Sequence, residues 1–208
     1  MQYEQSVPLI LASRSPRRRR LLEQAGITFS VVPSAVEETA FPLRPPRRYA
    51  QTLAEAKAHD VACHHPESWV IGADTVVVVG DTVFGKPSSC EEAVRMLELL
   101  SGRTHRVVTG FCLCCRDLHT SLSDAVTSHV RFKELTRKEV DWYVRTREPF
   151  DKAGGYAIQG LGSSLVRSVH GSYTSVVGLP VCEVIELLVG QKVIRRCHGK
   201  LPDPDLAQ

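Results

Sequence analysis

The sequence predicts an α/β protein, and three patterns carry that prediction. Apolar runs of strand length end on turn residues, as Trp69–Val79 does at Gly80-Asp81. Segments with apolar residues three and four apart follow capping residues, as Ala93, Met96, Leu97 and Leu100 follow Ser89. The two kinds of segment interleave along the chain, the arrangement that lays helices against the faces of a sheet. A length of 208 residues is enough for one core, and 43% hydrophobic with 24% charged residues excludes disorder as the main state.

Taken in order, Val7–Ala12 reads as a buried strand. Ser15-Pro16 then starts a helix, with serine at the cap and proline at the first helical position, where a missing N–H is harmless. Val31-Val32-Pro33 leads into a loop carrying Glu37 and Glu38, and Arg47–Cys63 reads as a second helix carrying Lys57. Trp69–Val79 is a strand that turns back into Thr82–Phe84, a hairpin signal. Ser89 and Glu92 have capping-box spacing for a helix stopped by Gly102, and Thr136 and Glu139 repeat it ahead of Val140, Tyr143 and Val144. Val107–Cys115 is a further strand, and Pro180–Leu188 a last helix ended by Gly190. No repeat or long linker divides the chain; its most irregular stretches are Phe41–Arg48 and the residues after Gly190. One domain over residues 1–190 and a tail over 191–208 are therefore expected.

The first residues lack a basic segment followed by an apolar one, and nowhere do eighteen apolar residues run together, so a soluble protein with no membrane partner is expected. Seven cysteines without framework spacing suit a reducing compartment, which makes the cytoplasm the expected location. Cys112 and Cys115 form a C-x-x-C, but strand alternation puts them on opposite faces, so structural cysteines are expected rather than a zinc or redox site. With 26 basic and 23 acidic side chains the net charge is only +3, too mild for a dedicated nucleic-acid binder.

Chemistry concentrates in four segments. In Ala12-Ser13-Arg14-Ser15-Pro16-Arg17-Arg18, arginines in the first turn of a helix stand where the macrodipole disfavours cations. A bound anion reverses that penalty, so free amides, serine hydroxyls and guanidinium forks suggest a phosphate cradle. A solvated basic face is the competing reading, since Arg19 and Arg20 continue the run. Asp74 interrupts a valine-rich strand, where a carboxylate is costly to bury unpaired, so a functional role is expected, with a carboxylate satisfied by a cap or salt bridge as the structural alternative. Gly72 shares its face and is expected to leave room beside it for a ligand, metal or water. Lys86, in G-x-x-x-x-G-K-P from Gly80, misses a P-loop by one residue; Pro87 removes the required hydroxyl, so the P-loop is rejected. Pairing across the hairpin sets Lys86 beside Asp74, although strict register aims it at the other face unless a bulge intervenes. In Asp151–Gly160, small residues precede Gln159, whose amide can both donate to and accept from a base edge; a tight turn before the next strand is the equal alternative.

These segments resemble the Maf family of nucleoside triphosphate pyrophosphatases. The hallmarks occur in order: L-A-S-R-S-P-R-R from Leu11, V-E-E from Val36, I-G-A-D-T from Ile71, G-K-P from Gly85, S-G-R-T-H from Ser101 and D-K-A-G-G-Y-A-I-Q-G-L-G from Asp151. The resemblance implies an elongated α/β fold, a mixed β-sheet with flanking helices in two lobes around a central cleft, usually dimeric. It implies hydrolysis of a nucleoside triphosphate to monophosphate and pyrophosphate with a divalent cation, Mg2+ or Mn2+. D-K-A-G with I-Q-G is similar to the branch acting on dTTP and UTP, modified nucleotides included among its candidates, rather than the branch associated with 7-methyl-GTP. Carried onto this chain, Asp74 is the proton acceptor, with Glu38 and Lys86 as further catalytic positions and Asp74 and Glu38 as metal ligands. Arg17, with Arg18 beside it, is the phosphate-cradle and specificity residue, Ser13 and Lys57 bind substrate, and Thr75 and Gln159 help choose the base. The family's association with septum formation supports an opposing expectation, a non-catalytic nucleotide-sensing regulator of cell division.

Overall fold

The computed structural model describes residues 2–41 and 45–197. Its elements run β1 (Gln2–Gln5), β2 (Leu9–Leu11), α1 (Pro16–Gln24), β3 (Ser30–Val31), α2 (Pro46–Ala62), β4 (Trp69–Val79) and β5 (Thr82–Phe84). They continue α3 (Cys90–Leu100), β6 (Thr104–Cys115), β7 (Thr120–Phe132), α4 (Arg137–Arg145), β8 (Val166–His170), α5 (Tyr173–Val177), α6 (Val181–Gly190) and β9 (Ile194–Cys197). The main sheet is mixed, in the order β3-β2-β4-β6-β7-β8, with β5 added to the edge of β4. β2 runs parallel to β3 and β4, and the other pairings are antiparallel.

Alternation along the long strands β4 and β6 builds two faces. On one, Ile71, Ala73, Phe111 and Leu113 pack against Leu21 and Leu22 of α1 and Val184 and Leu188 of α6. Farther along the same face, Val77 and Val107 pack against Ala93, Leu97 and Leu100 of α3 and Val140 and Tyr143 of α4. These are the two lobes, and the sheet runs beneath both. The opposite face carries α2, whose Ala54 and Ala58 pack on Ile10, Val70, Cys112 and Cys114.

The seat of α2 depends on two glycines. A Cβ at Gly72 would lie 2.2 Å from the Ala54 carbonyl oxygen and 2.7 Å from the Ala58 nitrogen, and one at Gly110 would lie 2.2 Å from the Ala50 carbonyl oxygen. This corrects the expectation that Gly72 leaves room for a ligand: helix backbone fills the space. The glycine still serves Asp74, because the close approach lowers Lys57 of α2 onto it.

Other differences are local. The strand expected over Val7–Ala12 is confined to Leu9–Leu11. Ser89 caps α3 as expected, but the Glu92 carboxylate accepts from the N–H and hydroxyl of Ser88, so the box is half formed. The Thr136–Glu139 box is complete. α6 ends at Gly190 as expected, but the positive φ that follows falls to Lys192 at 57° rather than to the glycine. Within the expected tail, Ile194 packs in the main core and β9 pairs with β1. Residues 42–44 of the proline-rich stretch and residues 198–208 lie outside the described residues.

Candidate active site

The edge of β4 changes partner midway. β2 pairs with Trp69–Ile71 and β5 with Val77–Val79, so Gly72–Val76 lie in a notch between two neighbours. At the carboxyl end of parallel β2 the chain turns at Ala12–Ser15 into α1, a position where α/β sheets receive ligands. A cleft of about 720 Å³ opens here, lined by residues 12–18, 34–38, 74–77, 83–86, 151–153 and 156–159 together with Tyr49 and Lys57 of α2. Among the described residues, every position singled out from the sequence borders it: Ser13, Arg17, Arg18, Glu38, Lys57, Asp74, Thr75, Lys86 and Gln159.

On the α2 side, the Lys57 ammonium donates to Asp74 Oδ1 at 2.6 Å and Glu38 Oε1 at 2.7 Å. Lys57 and Asp74 are almost wholly buried and Glu38 is half exposed. The Glu38 loop is held from α2 as well, because the Ala35 N–H donates to Asp60 Oδ2 at 2.8 Å. Burial pushes the Asp74 carboxyl above its ordinary value, against the opposing pull of Lys57 and Arg18. Burial acts upward on Glu38 too, but Lys57, Lys86 and Arg18 outweigh it and leave that carboxyl below its ordinary value. Two carboxylates already flanking one positive charge form an oxygen donor set that suits a divalent cation such as Mg2+ or Mn2+. Lys86 needs no bulge to join them: β5 ends at Phe84, so the lysine has left the ladder, and it is exposed at the cleft.

On the lobe side, the two adjacent arginines differ. Arg18 donates Nε–H to the Gly178 carbonyl at 2.7 Å, Nη1–H to Ser13 Oγ at 3.1 Å and Nη2–H to Thr75 Oγ1 at 3.2 Å. Thr75 Oγ1 lies 3.0 Å from Thr109 Oγ1, which donates onward to the Ser175 carbonyl. Arg18 thus braces α1, β4 and the α5–α6 turn. Arg17 instead reaches across the cleft to Asp151 Oδ2 at 2.9 Å, an exposed pair that water screens. Lys152 also contacts Asp151, and together with Arg17 it holds that carboxyl below its ordinary value against the upward effect of burial. Gln159 is exposed at the rim.

The family model described as Maf-like protein matches residues 8–191. The chain belongs to that family. A protein of Syntrophotalea carbinolica named dTTP/UTP pyrophosphatase is 48% identical over 183 residues, covering 86% of this chain and 83% of that one. Proteins with the same name from Syntrophus aciditrophicus and Desulfotalea psychrophila are 47% and 43% identical, covering 86% and 92% of this chain and 88% and 98% of theirs.

This Maf-like chain places two further groups in its cleft that sequence reasoning missed as site residues. Tyr49 lies close enough to Asp74 and Glu38 that, after burial, those carboxylates raise its pKa. Asp151 is the partner of Arg17 across the cleft. Tyr49 sits two helical turns before Lys57 on the same helix, a spacing that could have flagged it. Asp151 opens a segment the sequence singled out for Gln159, but its pairing with Arg17, 134 residues away, had no local signal.

Proposed function

We propose that the chain is a nucleoside triphosphate pyrophosphatase that hydrolyses dTTP and UTP to the monophosphate and pyrophosphate. The observation that carries this reading is the buried Lys57 held between Asp74 and Glu38, directly across a cleft from the arginine-bearing start of α1. A protein that only bound nucleotides would gain nothing from a buried carboxylate near polyanionic phosphates, and this disfavours the regulator of cell division. The names of the relatives point the same way.

In this reading the triphosphate lies along the N-terminus of α1, where backbone amides and the helix dipole favour anions. Arg17 exchanges Asp151 for phosphate oxygens, and Lys86 approaches from the hairpin side. Arg18 positions Ser13 and Thr75 with three of its five N–H groups and keeps two for phosphate oxygens. Asp74 takes the proton of the water that attacks the α-phosphorus, and the bond to the β-phosphate oxygen breaks to release pyrophosphate. A carboxyl raised by burial is a stronger base than a free one. Glu38 and Asp74 would hold a divalent cation, Mg2+ or Mn2+, which when bound neutralises developing charge on the phosphate oxygens. Gln159 and Thr75 select the base. The same reading includes modified pyrimidine nucleotides as candidate substrates, a homodimer, and a cytoplasmic location suited to unpaired cysteines. No helix among the described residues is long and apolar enough to cross a membrane. Residues 1–190 would form the catalytic domain, closed by Val193, Ile194 and β9 from the expected tail.

The test is product analysis. Purified protein incubated with a nucleotide panel and Mg2+ or Mn2+ should yield monophosphate and pyrophosphate from dTTP and UTP, without orthophosphate, on ion-exchange chromatography. Nucleoside diphosphate as the main product overturns the bond assignment, and tight binding without turnover overturns catalysis.

A further inference from the structure

Beyond the cleft lining, at the C-terminal turn of α2, the fold brings together soft ligands from two elements. Strand alternation aims Cys112 and Cys114 at the same face of β6, both within the cluster under α2, while Cys115 packs in the core on the other face. The C-x-x-C of the sequence is therefore split, and the pair that shares a face is C-x-C. His59 of α2 stands over it: one nitrogen of His59 and the sulfurs of Cys112 and Cys114 all lie within 4.8 Å of one another. A single hydroxyl joins imidazole and thiol, since Ser121 Oγ is 2.8 Å from His59 Nε2 and 3.7 Å from Cys112 Sγ. Cys63 follows His59 by four residues, and its helical backbone as the cap of α2 keeps it on the same side of the helix. It is exposed, and within electrostatic reach of Cys114. Glu55, one turn before His59, adds negative charge near Cys112.

We propose that His59, Cys112 and Cys114 form a zinc site, with Cys63 as the fourth ligand. Thiolates with imidazole select zinc over the oxygen-preferring Mg2+ and Mn2+. Tetrahedral zinc, with Zn–S near 2.3 Å and Zn–N near 2.05 Å, separates its ligand atoms by about 3.6 to 3.8 Å, so closure draws His59, Cys112 and Cys114 in by at most about 1 Å, and Cys63, outside that group of three, has to turn in from the surface. A disulfide is the poorer alternative, because same-face residues two apart on a strand are about 6.7 Å apart at Cα, at the far limit for an S–S bridge. Exposed His59 and Cys63 give the ion a route from solvent. Bound there, zinc would tie the last turn of α2 to the sheet and so steady the helix that carries Lys57. Each thiol loses its proton to solvent as the ion binds, so uptake releases protons.

The experiment uses the full chain, stripped with a chelator and titrated with zinc chloride against a chromogenic competitor, with cobalt(II) as spectroscopic probe. The wild type should bind one zinc per chain, and its cobalt form should show thiolate-to-metal charge-transfer absorption. His59→Ala, a surface change, should weaken zinc at least about tenfold, and Cys114→Ser should remove the cobalt band. Asp74→Asn should leave both unchanged, since the cleft carboxylates are separate donors. No zinc uptake, a cobalt form without the thiolate band, or unchanged affinity in both His59→Ala and Cys114→Ser overturns the site. Loss of uptake in Asp74→Asn assigns the ion to the cleft and overturns it equally. Unchanged affinity in Cys63→Ser overturns the fourth ligand.

Discussion

Replacing Lys57 by Met keeps most of the side-chain volume and removes the charge that joins Asp74 to Glu38. The two arms of that bridge differ in worth. The Glu38 carboxylate is 46% exposed, so its arm contributes at most about 1 kcal/mol. Asp74 is only 8% exposed, and stripping a buried carboxylate of its partner costs about 3 to 5 kcal/mol. Arg18 still acts on Asp74, which argues for the lower end, about 3 kcal/mol. With a urea slope near 2 kcal/mol/M, the unfolding midpoint should fall by about 1.5 M at pH 8. The deficit should depend on pH. Without Lys57 the Asp74 carboxyl, already raised by burial, rises further above its unfolded value, and Glu38, Tyr49 and Arg18 remain the groups around it. An acid with a raised folded pKa destabilises the fold above that pKa, and the penalty fades as pH falls through it toward the unfolded value. Urea titrations of both proteins by circular dichroism from pH 8 to pH 5 measure the gap. A gap below about 1 kcal/mol at pH 8, or one that widens in acid, refutes the buried bridge.

Asp74→Asn should lower turnover at least about a hundredfold in steady-state assays while binding of a non-hydrolysable triphosphate persists; in the wild type, the acid limb of kcat should lie above the ordinary carboxylate range because burial raises this group. Gly72→Ala drives a methyl into the α2 backbone and should cost about 1 to 3 kcal/mol or more in urea titration, with a fall in kcat as Lys57 shifts. His105 is buried against Tyr156 with its pKa lowered to about 4, so the fold keeps it neutral. Stability from this group is complete above pH 6.5 and is lost as pH falls toward 4, by about 3 kcal/mol in all, and the pH-dependent part should vanish in His105→Gln. Gln159→Ala should lower kcat/KM for dTTP and UTP and narrow their lead over dCTP and CTP by about tenfold, with Arg17→Ala weakening all four alike.

What the sequence made legible was local. The hairpin at Gly80-Asp81, the caps at Ser15, Ser89 and Thr136, and the strand carrying Asp74 each depend on a few adjacent residues, and each is present. Asp74 itself was legible because a carboxylate amid valines must have a partner. The partner's identity was not, since Lys57 lies 17 residues away and meets Asp74 only through the seat of α2. Gly72 shows the limit clearly: a glycine beside a carboxylate reads equally as space for ligand or space for backbone, and only the packing decides. The same holds for the cysteines, where spacing drew attention to Cys112 and Cys115, yet strand geometry joins Cys112 to Cys114 and a helix supplies His59.

The site works because adjacent residues on a strand point to opposite faces. Asp74 turns toward α2 and Thr75 toward the gap between the lobes, so one strand addresses two separate groups of side chains. In the interior of a sheet those groups would be sealed from each other by neighbouring strands. Here β2 ends before Gly72 and β5 begins only opposite Val77, and the notch lets one ligand touch both sides of the sheet edge. The start of α1 and Gln159 therefore share a cleft with a carboxylate held from beneath, as the proposed binding of phosphates and base requires. Arg17 and Arg18 divide along the same line. One helical step apart, they aim in different directions, and only Arg17 spans the opening, to a screened partner that a phosphate can displace. Arg18 ties Ser13, Thr75 and Gly178 into the wall of the cleft on that side.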